Sequence, residues 1–267
     1  MKSNHASNRL LPMNPLQRAL IEKAGHDNGF EYVLPNSAQH VVLASARHPA
    51  RVCVTLLDQG FQVSIDTGSA MLAQELARTF AVSPTDRATF VLSSEALLAQ
   101  WLRRAAALSQ ALPNQAVIAF EQQVQTQLAE LAPNDVRNTE VQRMVRQRVG
   151  QDRYRQAMLS YWGGACAVTG LTLQPVLRAS HAKPWADCAT DAERLDVFNG
   201  FLLSAHLDAL FDQFLISFAD DGHLLISHRV SLQDRHLLGL SESLALRWVA
   251  KEHRPYMNFH RQRWQLG

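Results

Sequence analysis

Between Val176 and Phe214 the chain spells four local structures in a fixed order, and few folds accommodate that order. Val176-Leu177 opens an apolar run, and Pro184 forces the chain out of regular structure shortly afterwards. His181 therefore stands at the end of a strand, entering a loop. Asn199-Gly200 is a turn dipeptide that leads from this loop into a second strand. Ser204 has the character of an N-cap, and Leu207, Leu210, Phe211 and Phe214 recur on the buried side of the short helix it opens. His206 and Asp208 fall in the first turn of that helix or just beyond. An imidazole moves protons near pH 7, and imidazole and carboxylate both bind divalent cations.

The rest of the chain must supply the support for such a motif. With 267 residues there is room for one large domain or two ordinary ones, and 47% hydrophobic residues is the fraction of a folded protein. No window approaches about 18 consecutive apolar residues, so neither a transmembrane helix nor a membrane partner is expected. Met1-Lys2-Ser3-Asn4-His5 lacks the apolar stretch of a secretory signal. Cys53, Cys166 and Cys188 have no paired spacing, which fits a reducing, cytoplasmic setting. The formal net charge is only +2, so an argument for nucleic-acid binding has to come from where the charges sit.

About the first fifteen residues read as a loose tail. Val41–Ala44 and Val52–Leu57 are short strand-like runs, and Asp58-Gln59-Gly60 leads into the alternating Phe61–Ile65 as a hairpin. Helical spacing follows over 70–80 and again over 94–108, opened by Ser94. Pro113-Asn114 and Pro133-Asn134 bracket a Gln-rich helix whose Val117, Phe120, Val124, Leu128 and Leu131 form one stripe, as a connector would. A basic helix comes next, with Arg137, Arg143, Arg146, Arg148, Arg153 and Arg155 facing only Glu140 and Asp152. The segment from Arg247 to Arg263 interleaves basic residues with Trp248, Tyr256 and Phe259. Basic and aromatic residues so arranged can hold a nucleic-acid backbone, and they equally describe a solvated helix face beside core aromatics.

Ala179-Ser180-His181-Ala182-Lys183-Pro184-Trp185 and Asn199-Gly200-Phe201-Leu202-Leu203-Ser204-Ala205-His206-Leu207-Asp208-Ala209-Leu210-Phe211-Asp212 together resemble the HNH endonuclease family, the ββα-metal nucleases. The resemblance covers about the last 130 residues. It implies metal-dependent hydrolysis of a phosphodiester bond in DNA, with His181 as general base, Asn199 fixing the loop by hydrogen bonds, and His206 completing the catalytic set. It also implies a divalent ion, Mg²⁺ or Mn²⁺ foremost and Zn²⁺ or Ni²⁺ next, held by His206, Asp208 and Ser180. Many relatives place the ligand histidine nine positions after the asparagine, where this chain has Asp208, and its histidine falls at seven. The choice between His206 and Asp208 stays open. Ser180 stands where several relatives carry an acidic residue or a histidine. Asp212 reads as structural. Some relatives brace the fold with two Cys-x-x-Cys pairs, whereas here Cys166 survives alone and Ser204 and Leu207 occupy the second pair's place, so no structural zinc is expected. Arg143, Arg146, Arg148, Arg153 and Arg155, with Arg178 and Lys183 beside the base, are the candidates for backbone phosphates. One such site cuts one strand, so cutting both calls for a homodimer. The family pattern further suggests restriction of foreign DNA.

Two rivals stand beside this reading. Val63-Ser64-Ile65-Asp66-Thr67-Gly68-Ser69-Ala70 matches the signature around an aspartic protease's catalytic residue, but that chemistry needs two carboxylates sharing a proton and this chain has one copy. Asp66-Thr67-Gly68-Ser69 is better read as a strand-to-helix turn. The other rival is a catalytically silent module that only binds nucleic acid, regulated by the N-terminal domain. The expected architecture is α+β: an α+β domain over 1–112, a helical connector over 113–133 and a ββα-metal nuclease domain over 134–267.

Overall fold

The computed structural model describes residues 10–35, 38–66, 70–80, 88–113, 115–131 and 139–266, and the chain divides into two compact units, Met1–Gln110 and Ala111–Gly267. Thr67, Gly68 and Ser69, Asn114, Pro133 and Asn134, and Arg137 lie outside the described residues.

The first unit opens with α1 (Pro15–Asp27). Asn14 accepts from the Gln17 N–H at 2.9 Å while the Gln17 side chain takes the Asn14 N–H at 3.0 Å, and Pro15 occupies the first helical position, where no hydrogen bond is lost. Five antiparallel strands follow in spatial order: β1 (Tyr32–Leu34), β2 (His40–Ala44), β3 (Arg51–Leu57), β4 (Gly60–Asp66) and β5 (Thr89–Leu92). Alternation decides the faces. Val41, Leu43, Val52, Val54, Phe61, Val63 and Phe90 point to one side and are buried, while Val42, Cys53, Gln62 and Ser64 point to the other and are half-buried. On the buried side Gly25 of α1 meets Leu43, and Trp101 of α3 (Glu95–Ala111) lies 5.4 Å from Phe90. Ser94 caps α3 through its hydroxyl, 3.2 Å from the Leu97 N–H. Between β4 and β5 runs α2 (Ala70–Phe80), with Leu72 and Leu76 buried.

The second unit begins with α4 (Gln115–Ala129), which packs on the long α5 (Thr139–Tyr161). Phe120 and Val124 are buried on α4, and Arg146 of α5 lies 5.1 Å over the Phe120 ring. Thus the Gln-rich helix packs against the basic helix within this unit. β6 (Leu177–His181) then pairs antiparallel with β7 (Gly200–Ser204), in register from Leu177 opposite Ser204 to His181 opposite Gly200. The loop between them carries the short α6 (Asp191–Leu195), and α7 (Ala205–Asp212) follows β7 directly. A second hairpin, β8 (Ile216–Phe218) with β9 (Leu224–Ile226), precedes α8 (Leu232–Leu237) and the C-terminal α9 (Arg254–Leu266). Tyr161, Trp162, Phe198, Phe201 and His253 form an aromatic core beneath β7. Among the described residues no helix is long and apolar enough to cross a membrane.

Gly200 is the tightest point of the β6–β7 hairpin. Its φ is +148°, and a Cβ there would lie 1.9 Å from the Ser180 carbonyl oxygen and 2.5 Å from the Tyr154 hydroxyl. Glycine is therefore required sterically where the strand carrying His181 meets its partner. Ser204 takes the N-cap place of α7, yet its hydroxyl makes no capping bond and lies 4.0 Å from the sulfur of buried Cys166.

Candidate active site

The two strands bring His181 and Asn199 to the same end of the hairpin, and the loop between them closes on itself through Asn199. That side chain is wholly buried. Its Oδ1 accepts from the Lys183 N–H at 2.8 Å, while its Nδ2 donates to the Lys183 carbonyl at 3.2 Å and the Glu193 carbonyl at 3.0 Å. A longer contact of 3.4 Å reaches the Cys188 sulfur. Both ends of the eleven-residue segment 183–193 are thereby tied to one carboxamide.

His181 closes β6, half-buried, with its ring stacked 3.8 Å from that of Tyr154 on α5. Tyr154 is itself buried, and its hydroxyl donates to the Asn199 carbonyl at 2.9 Å. The His181 Nε2 sits 2.8 Å from the Arg194 carbonyl oxygen. A carbonyl only accepts, so Nε2 carries the proton and Nδ1 keeps the lone pair. Burial pulls the imidazole down to about 4, against a smaller upward pull from the Arg194 carbonyl, so at neutral pH the ring is uncharged.

The cleft in front of His181 is lined by Ser180, Trp185, Asp212, Phe214 and His260 among others. His260 has both nitrogens occupied: one is 3.0 Å from the Phe211 carbonyl and the other 3.0 Å from the Ser217 hydroxyl. It is also stacked 3.7 Å from the Phe211 ring, and burial lowers it to about 4 as well. Of the two histidines on this cleft, His181 is the one with a nitrogen to spare.

These depressed imidazoles fix the sign of a pH effect. Unfolded, each would titrate near 6.5, so the unfolded chain takes up protons first. The unit's stability is intact above about 6.5 and falls as pH drops through about 4, by roughly 3 kcal/mol for each histidine. Asp212, held up to about 6, acts in the opposite sense and offsets part of the loss. Urea unfolding at pH 7 and pH 4.5 measures the difference, and equal midpoints would contradict it.

The candidate oxygen donors are Ser180 and two aspartates of α7. Ser180 is buried and its hydroxyl donates to Asp208 Oδ1 at 2.5 Å. Asp208 and Asp212, four residues apart, share a face of α7. Asp212, read from the sequence as a structural helix end, lines the cleft, and loss of water and the neighbouring Asp208 charge raise it to about 6. His206 is exposed, forms no hydrogen bond or ion pair with the described residues, and lies about 200° around the helix from Asp208. The structure therefore does not bring His206 together with Ser180 and Asp208. Among the described residues no three His, Cys, Asp or Glu side chains converge as a metal centre.

Several of the basic candidates have partners within the chain. Arg146 pairs with Glu121 at 2.6 Å and Asp191 at 2.7 Å, Arg155 donates to the Leu177 and Gln174 carbonyls at 2.7 and 3.2 Å, and Arg153 bonds Gln123. Lys183 grips both oxygens of Glu193, at 2.9 and 3.0 Å. Arg178 is exposed and donates to nearby carbonyls, while Arg143 and Arg148 are exposed without such partners among the described residues.

Residues 166–219 match the model of the HNH endonuclease family. The matched span runs from Cys166 through the β6–β7 hairpin, its loop and α7 to the end of β8. No curated protein matches the chain. The C-terminal part thus contains an HNH domain within an α+β protein, and this domain is the mark of a nuclease acting on nucleic acid.

Proposed function

We propose that this HNH domain is a metal-dependent DNA endonuclease in which His181 activates water. The observation that carries the reading is the Nε2 contact to the Arg194 carbonyl, which leaves the Nδ1 lone pair of this cleft-lining histidine unprotonated. A phosphodiester entering beside it would stabilise the imidazolium, so the low intrinsic basicity rises when substrate is bound. Asn199 holds the 183–193 segment, which ends next to the orienting Arg194 carbonyl, and Tyr154 stacks on the ring from behind.

Asp208 and Asp212, with Ser180 beside them, form a hard oxygen donor set of the kind that suits Mg²⁺ or Mn²⁺. The elevated Asp212 carboxyl supports this fit, because a cation between two carboxylates relieves their repulsion. When bound, the ion would supply Lewis-acid stabilisation of charge on the phosphate and the leaving oxygen. We extend the reading to restriction of foreign DNA, since two units with separate cores let recognition reside in one and cutting in the other.

Cleavage of supercoiled plasmid in Mg²⁺, Mn²⁺ or EDTA tests the reading: relaxed or linear product that requires the ion supports it. If the chain binds plasmid but never cuts it, the silent binding module is the better description. Asp208→Ala and Asp212→Ala are each expected to raise the metal concentration for half-maximal cutting by on the order of tenfold or more, since losing even an orienting group near a metal costs that much. A shift of that size in His206→Ala instead would return the ion to His206.

A further inference from the structure

The C-terminal helix α9 lies beyond the segment that matches the HNH family, yet it forms a wall of the cleft. Tyr256 donates to Asp196 at 3.0 Å, Phe259 faces the Lys183 ammonium at 5.8 Å, and Arg263 reaches Asp187 at 2.8 Å. These positions recur at helical spacing along the loop fixed by Asn199. His260, one turn before Arg263, lines the cleft itself.

Arg263 is set up differently from the other cations of the site. Its guanidinium lies 5.0 Å from the Phe259 ring centre and 6.0 Å from that of Phe214, a cleft residue. Asp187, its acidic partner, sits two residues beyond Trp185 of the cleft. The Arg263 side chain is 43% exposed and Asp187 32%, and so open a pair contributes little to stability. Five N–H donors in a planar fork leave room for a second anion beside Asp187. Phe214 adds a second observation. It is the one non-glycine residue with positive φ, +55°, among those described, at the end of α7 where glycine would be cheaper. That conformation sets its ring between His260 and Arg263.

We propose that Arg263 holds a backbone phosphate of the DNA adjacent to the one that is cut, steadied by Phe214, Phe259 and Asp187. The inference rests on the nuclease reading and adds a substrate-positioning residue from outside the matched segment. Arg146 is shared between two carboxylates, Lys183 grips both oxygens of one and Arg155 bridges two carbonyls, whereas Arg263 meets the single carboxylate of Asp187.

The test measures plasmid cleavage and oligonucleotide binding in EDTA for the wild type, Arg263→Ala, Arg263→Lys and Asp187→Asn, with Tm for each. Loss of one phosphate contact should raise KM about tenfold with kcat little changed, and should lower the salt slope of binding by about one. Arg263→Lys should recover part of the affinity, and Asp187→Asn should tighten binding by freeing the guanidinium. A wild type that cuts, with Arg263→Ala unchanged in KM and salt slope, overturns the phosphate role alone. Equal losses of Tm and activity in Arg263→Ala and Asp187→Asn would make the pair structural and overturn it too. A wild type that neither cuts nor binds DNA removes the nuclease reading, and this inference falls with it.

Discussion

His181→Ala is expected to leave a folded chain whose cutting of plasmid falls by roughly 10²–10⁴-fold, the range that a general base contributes. The substitution removes the half-buried ring and its single hydrogen bond to the Arg194 carbonyl, while Asn199 keeps the loop in place. The stability cost should be on the order of 1–3 kcal/mol, because one carbonyl loses its donor and a stacking partner of Tyr154 is gone. Loss of cutting out of proportion to a Tm drop of only several degrees separates a chemical role from a structural one. Cutting that survived undiminished would sink the assignment of the base. Because the ring is already neutral at pH 7, its protonation can reduce wild-type activity only on the acid side.

Asn199→Ala should do the reverse and act first on stability. It leaves the Lys183 N–H, the Lys183 carbonyl and the Glu193 carbonyl without their partner inside a buried site. Each orphaned group costs about 1–3 kcal/mol, so a total on the order of 3–5 kcal/mol is expected once the loop relaxes. Tm should fall by about 10 °C, given a few degrees per kcal/mol for a unit of this size. Cutting should be lost as well, since the Arg194 carbonyl that orients His181 belongs to the released loop. Asn199→Asp sharpens the test by keeping the shape and turning two donors into acceptors against carbonyls. An alanine variant with unchanged Tm would show that the loop is held by something other than this carboxamide.

Which parts of this arrangement the amino-acid sequence exposes depends on how local their causes are. The order of strand, loop, strand and helix between 177 and 212 follows from Pro184, the Asn199-Gly200 turn and the apolar spacing of α7, all short-range signals. Asp212 was readable on the same principle, four residues after Asp208 on one helix face, but its place at the helix end suggested structure instead. The phase of α7 likewise separates His206 from Asp208, which spacing from Asn199 alone left open. Tyr154 carried no signal, being 27 residues before His181 on another element. The arginines misled for a similar reason. Glu121 and Asp191, which neutralise Arg146, are 25 and 45 residues away in the chain, so a helix that reads as basic is partly balanced once folded.

The loop that surrounds His181 is anchored through main-chain atoms. The His181 ring is oriented by a carbonyl at 194, and Asn199 grips the backbone at 183 and 193. Peptide groups are the same whatever side chains they carry. Much of the intervening segment can therefore change its side chains under selection while the geometry around His181 persists. An HNH domain built this way can diversify the surface around a fixed histidine by substitution alone, without rebuilding the loop that holds it.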